Sequence, residues 1–132
     1  MRFVDTNVLL YAIGSVPAKS ELARSLLDGD DLALSVQVLQ EFYVQATRQS
    51  RLDRLSHEDA WVLIQSFCRF KVQESTVDLV LAALQASKRY AIPYWDAAVV
   101  EAARVLGCRT LLSEDLNHGQ DFGGVRVLNP FR

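Results

Sequence analysis

The sequence predicts an α/β fold built as three layers, α/β/α, around a central, mostly parallel sheet of about five strands. Three observations lead there. Strand-like apolar runs alternate with helical patterns along the whole chain, which is how α/β domains read. No low-complexity stretch, internal repeat or Pro/Gly-rich linker interrupts that alternation. The chain has 132 residues, half of them hydrophobic, enough for one core without disulfides or structural metal, so residues 1–132 are expected to form a single domain. Right-handed crossovers between parallel strands place the connecting helices on the faces of the sheet.

The elements follow in order. Arg2 to Asp5 reads as a short buried strand that runs into a helical segment at Thr6 to Ala12. Ser20 to Leu27 reads as a second helix, with leucine or alanine at 22, 23, 26 and 27, ended by Gly29, Asp30 and Asp31. Leu32 to Val36 is an apolar strand, after which Val38, Leu39, Phe42, Tyr43 and Ala46 fall at helical spacing. Two capping boxes announce further helices: Ser56 with Asp59 opens one that runs to about Cys68, and Ser75 with Asp78 opens one to about Tyr90. Between them Phe70, Lys71 and Val72 supply a third strand. Pro93 suits the first turn of the next helix, whose apolar positions 95, 98, 99, 102, 103 and 106 mark a broad buried face until Gly107 stops it. Arg109 to Leu112 is a fourth strand, and after Gly123 and Gly124 the run from Val125 to Leu128 reads as a fifth, at an edge.

Composition narrows the function classes. A net charge of −2 argues against a protein that coats nucleic acid through a general positive field. Setting aside four acids that face a bound cation would leave the remaining surface at +2, so nucleic acid is permitted. Cys68 and Cys108 lie far apart without a C-x-x-C spacing and read as reduced core thiols. Neither a signal-peptide pattern nor an apolar run long enough for a bilayer is found, which leads to the expectation of a cytoplasmic protein with no membrane partner.

The chemistry lies in four acids. Ligands of open α/β sheets bind outside the carboxyl ends of the strands. Asp5 ends the first strand, and Ser113, Glu114 and Asp115 end the fourth. Glu41 falls in the second turn of the helix after strand two, and Asp96 in the first turn of the helix opened by Pro93, so both can project toward the same edge. Two like charges about 4 Å apart repel by roughly 4 kcal/mol at an effective dielectric near 20, so such a cluster calls for protons or a divalent cation. An all-oxygen donor set without His or Cys suits Mg²⁺ or Mn²⁺ rather than zinc. Such a cation activates water and draws charge from a phosphoryl oxygen, the combination needed to hydrolyse a phosphodiester. The bland readings are a dipole-favoured first-turn acid for Asp96, a solvated helix face for Glu41 and a turn acid for Asp115. Asp5 resists that treatment, because a carboxylate directly behind a buried strand needs a partner.

The residues also resemble a known family, the PIN-domain ribonucleases, and within it the VapC-like toxins of bacterial toxin–antitoxin pairs. The run VDTNVLLYA at 4–12 is similar to the family's opening motif, SVQVLQEFY at 35–43 to its second, YWDAAVVEAA at 94–103 to its third and LLSEDLNHG at 111–119 to its fourth. The resemblance implies a Mg²⁺- or Mn²⁺-dependent endoribonuclease acting on RNA, a homodimer, held inactive by a cognate antitoxin protein. Carried over by position, Asp5, Glu41, Asp96 and Asp115 are the acidic set, with Asp5 and Asp96 in direct metal contact and Thr6, Asn7 and Ser113 as polar support. The choice between Glu114 and Asp115 falls on Asp115 by strand alternation and by the family's spacing from a Ser or Thr.

Other residues carry weaker signals. Arg48, Arg51 and Arg54 form either an RNA-phosphate strip or a solvated basic strip. His118 reads as a loop histidine rather than an acid, and His57 as part of a capping turn. Trp61 and Trp95 read as core packing rather than base-stacking groups. Phe122 and Phe131 pack the edge strand or a dimer contact. The rival functions are a receiver-type Mg²⁺-binding signalling module, which needs a second acid at strand one and a buried lysine, a phosphatase, which needs an aspartate where Asn7 stands, and a catalytically silent PIN-fold binding domain.

Overall fold

The computed structural model describes residues 1–132. The chain enters β1 (Arg2–Val4) and passes at once into α1 (Thr6–Ala12), because Asp5 leaves the extended region only after its side chain has accepted the Thr6 N–H. In α2 (Pro17–Leu27) a proline occupies the first turn, where its missing N–H costs nothing, so this helix starts three residues ahead of the expected Ser20. The strand β2 (Leu32–Ser35) is buried along its length and ends one residue before the expectation, since the Ser35 hydroxyl caps α3 (Val36–Ala46). The helix α4 (His57–Phe67) is capped by Ser56 through the Asp59 N–H, as expected, and β3 (Lys71–Gln73) follows.

Two boundaries are corrected by a residue each. The cap of α5 (Val77–Tyr90) is Thr76, which accepts the Leu79 N–H, and not Ser75. Pro93 is the N-cap of α6 (Tyr94–Val105), with φ −56° and ψ 148°, and not a first-turn residue. Past α6 the chain reverses at Gly107, whose φ of 78° is open to glycine at little strain. It then forms β4 (Thr110–Leu112) and β5 (Arg126–Leu128).

The five strands are all parallel, in the order β3-β2-β1-β4-β5, with Phe3 opposite both Ala33 and Leu111, Leu34 opposite Val72, and Leu111 opposite Val127. The expected edge position of the last strand is thus observed. Helix α1 packs on α2 and α3, α3 on α4, and α5 on α6. Right-handed crossovers therefore carry α1 to α4 over one face and α5 with α6 over the other, giving the three-layer arrangement. The chain winds outward from β1 through β2 to β3 and returns to β4 on the other side. A topological switch point lies between β1 and β4. No helix is long and apolar enough to cross a membrane.

The core is filled from both layers: Phe3, Val4, Leu34, Phe42, Leu111 and Val100 are fully enclosed. Phe42 meets Phe67 edge-on with ring centroids 5.1 Å apart, and Phe122 meets Tyr90 in the same way at 5.1 Å. Phe122 is thereby core packing, while half-buried Phe131 stands edge-on to Tyr11 at 4.7 Å. Three expectations of burial are corrected. Cys108 is buried, but Cys68 caps the end of α4 in the open. Trp61 and Trp95 are exposed, at 57% and 64%, because each lies on the outward face of its helix. The apolar periodicity of α6 is otherwise correct, with Ala98, Val99, Ala102 and Ala103 buried.

Candidate active site

Asp5 and Ser113 stand side by side at the switch point, because Val4 and Leu112, the residues before them, are paired in register. The Asp5 N–H continues the ladder to the Leu112 carbonyl at 3.0 Å. The Asp5 side chain is almost fully enclosed. Its Oδ1 accepts the Thr6 N–H at 2.8 Å, and its Oδ2 accepts the Ser113 hydroxyl at 2.7 Å and, at 3.4 Å, the Asn7 amide. Ser113 in turn accepts from the Asn7 Nδ2 at 3.2 Å and from the Asp115 N–H at 3.1 Å, so its hydroxyl is fully used. The Asn7 Oδ1 accepts the Glu114 N–H at 3.1 Å, which ties α1 to the loop after β4. Asn7 and Ser113 thus both hydrogen-bond the Asp5 carboxylate. Thr6 does so only through its backbone, and its buried Oγ1 has no partner.

The four acids assigned from sequence line one pocket of about 80 Å³. Asp5 forms its floor at the end of β1. Glu41 enters from α3, Asp96 from the first turn of α6 and Asp115 from the loop after β4. Their charges act on one another. Burial raises the Asp5 carboxyl to about 6, against the lowering effect of the Ser113 and Thr6 hydrogen bonds, and the charges of Asp115 and Glu41 push the same way as burial. Asp96 is also raised, first by desolvation and then by the Asp115 charge. Glu114 is separated from this group: its carboxylate pairs with Lys19 at 2.7 Å, which holds it below the usual range. Of the two neighbouring acids, Asp115 is the one that lines the pocket.

The acids share a pocket without closing on a point, and no three of them stand as a ready-made ligand set. The pocket still fits a hydrated hard cation. Mg²⁺ keeps several waters and takes only one or two carboxylates directly, so an open ring of acids suits it better than a tight cage. The donors are all oxygen, the volume is that of a few waters, and two of the carboxyls are raised by burial and like charge as though short of a counter-charge.

Gln37 was missed by the sequence reading. Its Nε2 donates to the Glu41 Oε1 at 3.0 Å and to the Trp95 carbonyl at 3.2 Å, so it orients one acid and joins α3 to α6 beside another. The signal was present as a Gln four residues before Glu41 on the same helix. Of the three arginines, Arg51 is held by Asp53 at 2.9 Å and by the Leu10 carbonyl at 3.3 Å, while Arg48 borders a neighbouring groove and Arg54 is exposed. His118 accepts the Asn129 N–H through Nδ1 at 3.0 Å, the structural role of a loop histidine. His57 opens α4 and meets Tyr43 at 3.1 Å.

Residues 2–120 match the model of the PIN domain. The chain belongs to the PIN domain family. That membership sets aside the receiver and phosphatase alternatives. Over 61 residues this PIN domain is 43% identical to Ribonuclease VapC23 of Mycobacterium tuberculosis, a match covering 40% of the chain and 48% of that protein. The match therefore spans about half the length of that curated relative. Among solved structures the PIN domain superposes on a toxin–antitoxin complex from Klebsiella pneumoniae with a TM-score of 0.71, at 18% identity over 98% of both chains. It superposes on VapC20 of Mycobacterium tuberculosis, described as a toxin that cleaves the sarcin-ricin loop, with a TM-score of 0.62, at 19% identity over 84% of this chain and 87% of that one. At such identities these likenesses carry the fold.

Proposed function

We propose that this PIN domain is a Mg²⁺- or Mn²⁺-dependent endoribonuclease and the toxin of a toxin–antitoxin pair. The observation that carries the reading is the lining of one small pocket by Asp5, Glu41, Asp96 and Asp115 at the switch point of a parallel sheet. Kinship with a ribonuclease over half its length, and with the fold of toxin–antitoxin proteins, supports it. Asp5 and Asp96 would hold the cation, with Glu41 and Asp115 completing the negative field and holding its waters. A cation bound there supplies an acidified water and neutralises the charge that develops on the phosphoryl oxygens.

The chain's own residues prepare that chemistry. Ser113 and Asn7 fix the Asp5 carboxylate so that no side-chain motion is needed when substrate arrives. Gln37 does the same for Glu41. The backbone N–H of Thr6 keeps one Asp5 oxygen occupied and turns the other toward Ser113. The open spacing of the acids favours one second reading, a catalytically silent binding domain on the same fold. A cognate antitoxin covering the pocket, and a homodimer formed by a second copy, complete the proposal.

The test uses the purified chain freed of partner, a labelled structured RNA, and Mg²⁺, Mn²⁺ or chelator, beside the double variant Asp5→Asn/Asp96→Asn. Cleavage should require metal and fall by about a hundredfold or more in the variant. Undiminished cleavage by the folded variant would remove the assignment, and metal binding without cleavage of any RNA would favour the silent domain.

A further inference from the structure

Beside the acid pocket runs a groove of about 380 Å³ that shares Glu41 with it but is otherwise lined mostly by neutral side chains. Gln37, Gln40, Glu41, Val44 and Gln45 supply one side from α3, and Arg48 stands just past the end of that helix. Trp95 supplies the other side and also lines the acid pocket, so the two spaces are continuous. The indole is 64% exposed, and Tyr94 meets it edge-on at 5.0 Å with planes at 79°. The Trp95 backbone carbonyl accepts from Gln37 at 3.2 Å, which ties the start of α6 to α3.

We propose that this groove seats single-stranded RNA, with Trp95 as the platform on which the base next to the scissile phosphate stacks. The proposal rests on the ribonuclease reading of the adjoining pocket and adds the residues that hold the substrate. A large, exposed aromatic ring presents what an unpaired base seeks, and stacking does not depend on base identity. The glutamines are neutral and carry both donors and acceptors, which match base edges without repelling phosphate from an already acidic site. Arg48 is the groove's single cation and is placed for a backbone phosphate. Because Trp95 lines both the groove and the acid pocket, a base stacked on it brings its phosphate to the acids. The net charge of −2 is no obstacle, since affinity here comes from stacking and base contacts rather than from a general positive field.

The test follows Trp95 fluorescence in a Trp61→Phe background while a short single-stranded oligoribonucleotide is added in chelator, so that nothing is cut, and reads the variants that lack Trp95 by the anisotropy of the same oligoribonucleotide carrying a dye. Saturable quenching is expected. Trp95→Ala should weaken binding about tenfold or more, Trp95→Phe should restore most of it, and a duplex of the same sequence should bind much less tightly. In cleavage assays the Ala variant should raise KM more than it lowers kcat. Affinity and KM unchanged in Trp95→Ala would overturn the groove while leaving the nuclease standing. So would a variant that alters only self-association or capture of a protein partner, followed by sedimentation. Binding by anisotropy that Trp95→Ala abolishes, without cleavage in any metal, would keep the groove and remove the nuclease.

Discussion

Asp5 caps α1, continues the β1 ladder and lines the acid pocket, and the burial that these roles impose raises its carboxyl. The folded protein holds its carboxyl at about 6, above the ordinary value of 3.8. Between those values the native state binds more protons than the unfolded chain. The stability this group contributes is therefore fully present below pH 3.8 and is lost as pH rises through 6. At neutral pH the ionised, metal-free carboxylate is a burden of about 3 kcal/mol. Asp5→Asn removes the titration, so in chelator the variant should gain on the wild type by about that amount between pH 4 and pH 8, as measured by urea unfolding. Added Mg²⁺ or Mn²⁺ should narrow the gap at the higher pH by stabilising the wild type alone. A gap that does not change with pH would show that burial does not set this carboxyl. At the same scale the sequence made Asp5 legible, because a carboxylate behind an apolar strand has few innocent explanations. It did not separate Glu114 from Asp115 by chemistry, since the partner that draws Glu114 away is Lys19, 95 positions distant.

Among the elements, helix starts were read well wherever a capping side chain lies next to the helical pattern. Ser56 was found because it stands directly before α4. At α5 two adjacent hydroxyls competed, and the first helical N–H groups face Thr76 rather than Ser75. Thr76→Ala should therefore cost about 1 kcal/mol in chemical unfolding. Ser75→Ala should change stability by no more than about 0.5 kcal/mol, and the reverse ranking would restore the cap at Ser75. The helix α3 shows what periodicity alone cannot give. Val38, Phe42 and Ala46 mark its inner face clearly, but the outer stripe of glutamines gains meaning only when Trp95 of α6 is found opposite. The tryptophans were assigned to the core because helical spacing identifies a face and not its neighbour. At the start of α6 and on the outer side of α4 no element lies over that face.

For the whole molecule, stability rests on the layers closing over the sheet. Phe42 is fully enclosed against Phe67 and joins α3 to α4. Phe42→Ala should cost about 3 to 5 kcal/mol, a large part of the roughly 5 to 15 kcal/mol that holds a domain of this kind. Val44→Ala on the outer face of the same helix should cost less than about 1 kcal/mol, and denaturant titration of the pair would test whether the core is placed as described. The sequence by itself determined the strand and helix succession, the parallel sheet, the edge position of β5 and the place of Asp5 at the carboxyl end of a buried strand. All of these follow from local periodicity, capping chemistry and the rule that binding occurs at the carboxyl ends of parallel strands. The tertiary structure decided which acid of the neighbouring pair lines the pocket, how openly the carboxylates are spaced, that Gln37 orients Glu41, and that Trp95 faces a groove. Each of these depends on contacts between residues far apart in the chain, whose distances are set by crossovers and packing, and local pattern carries no information about them.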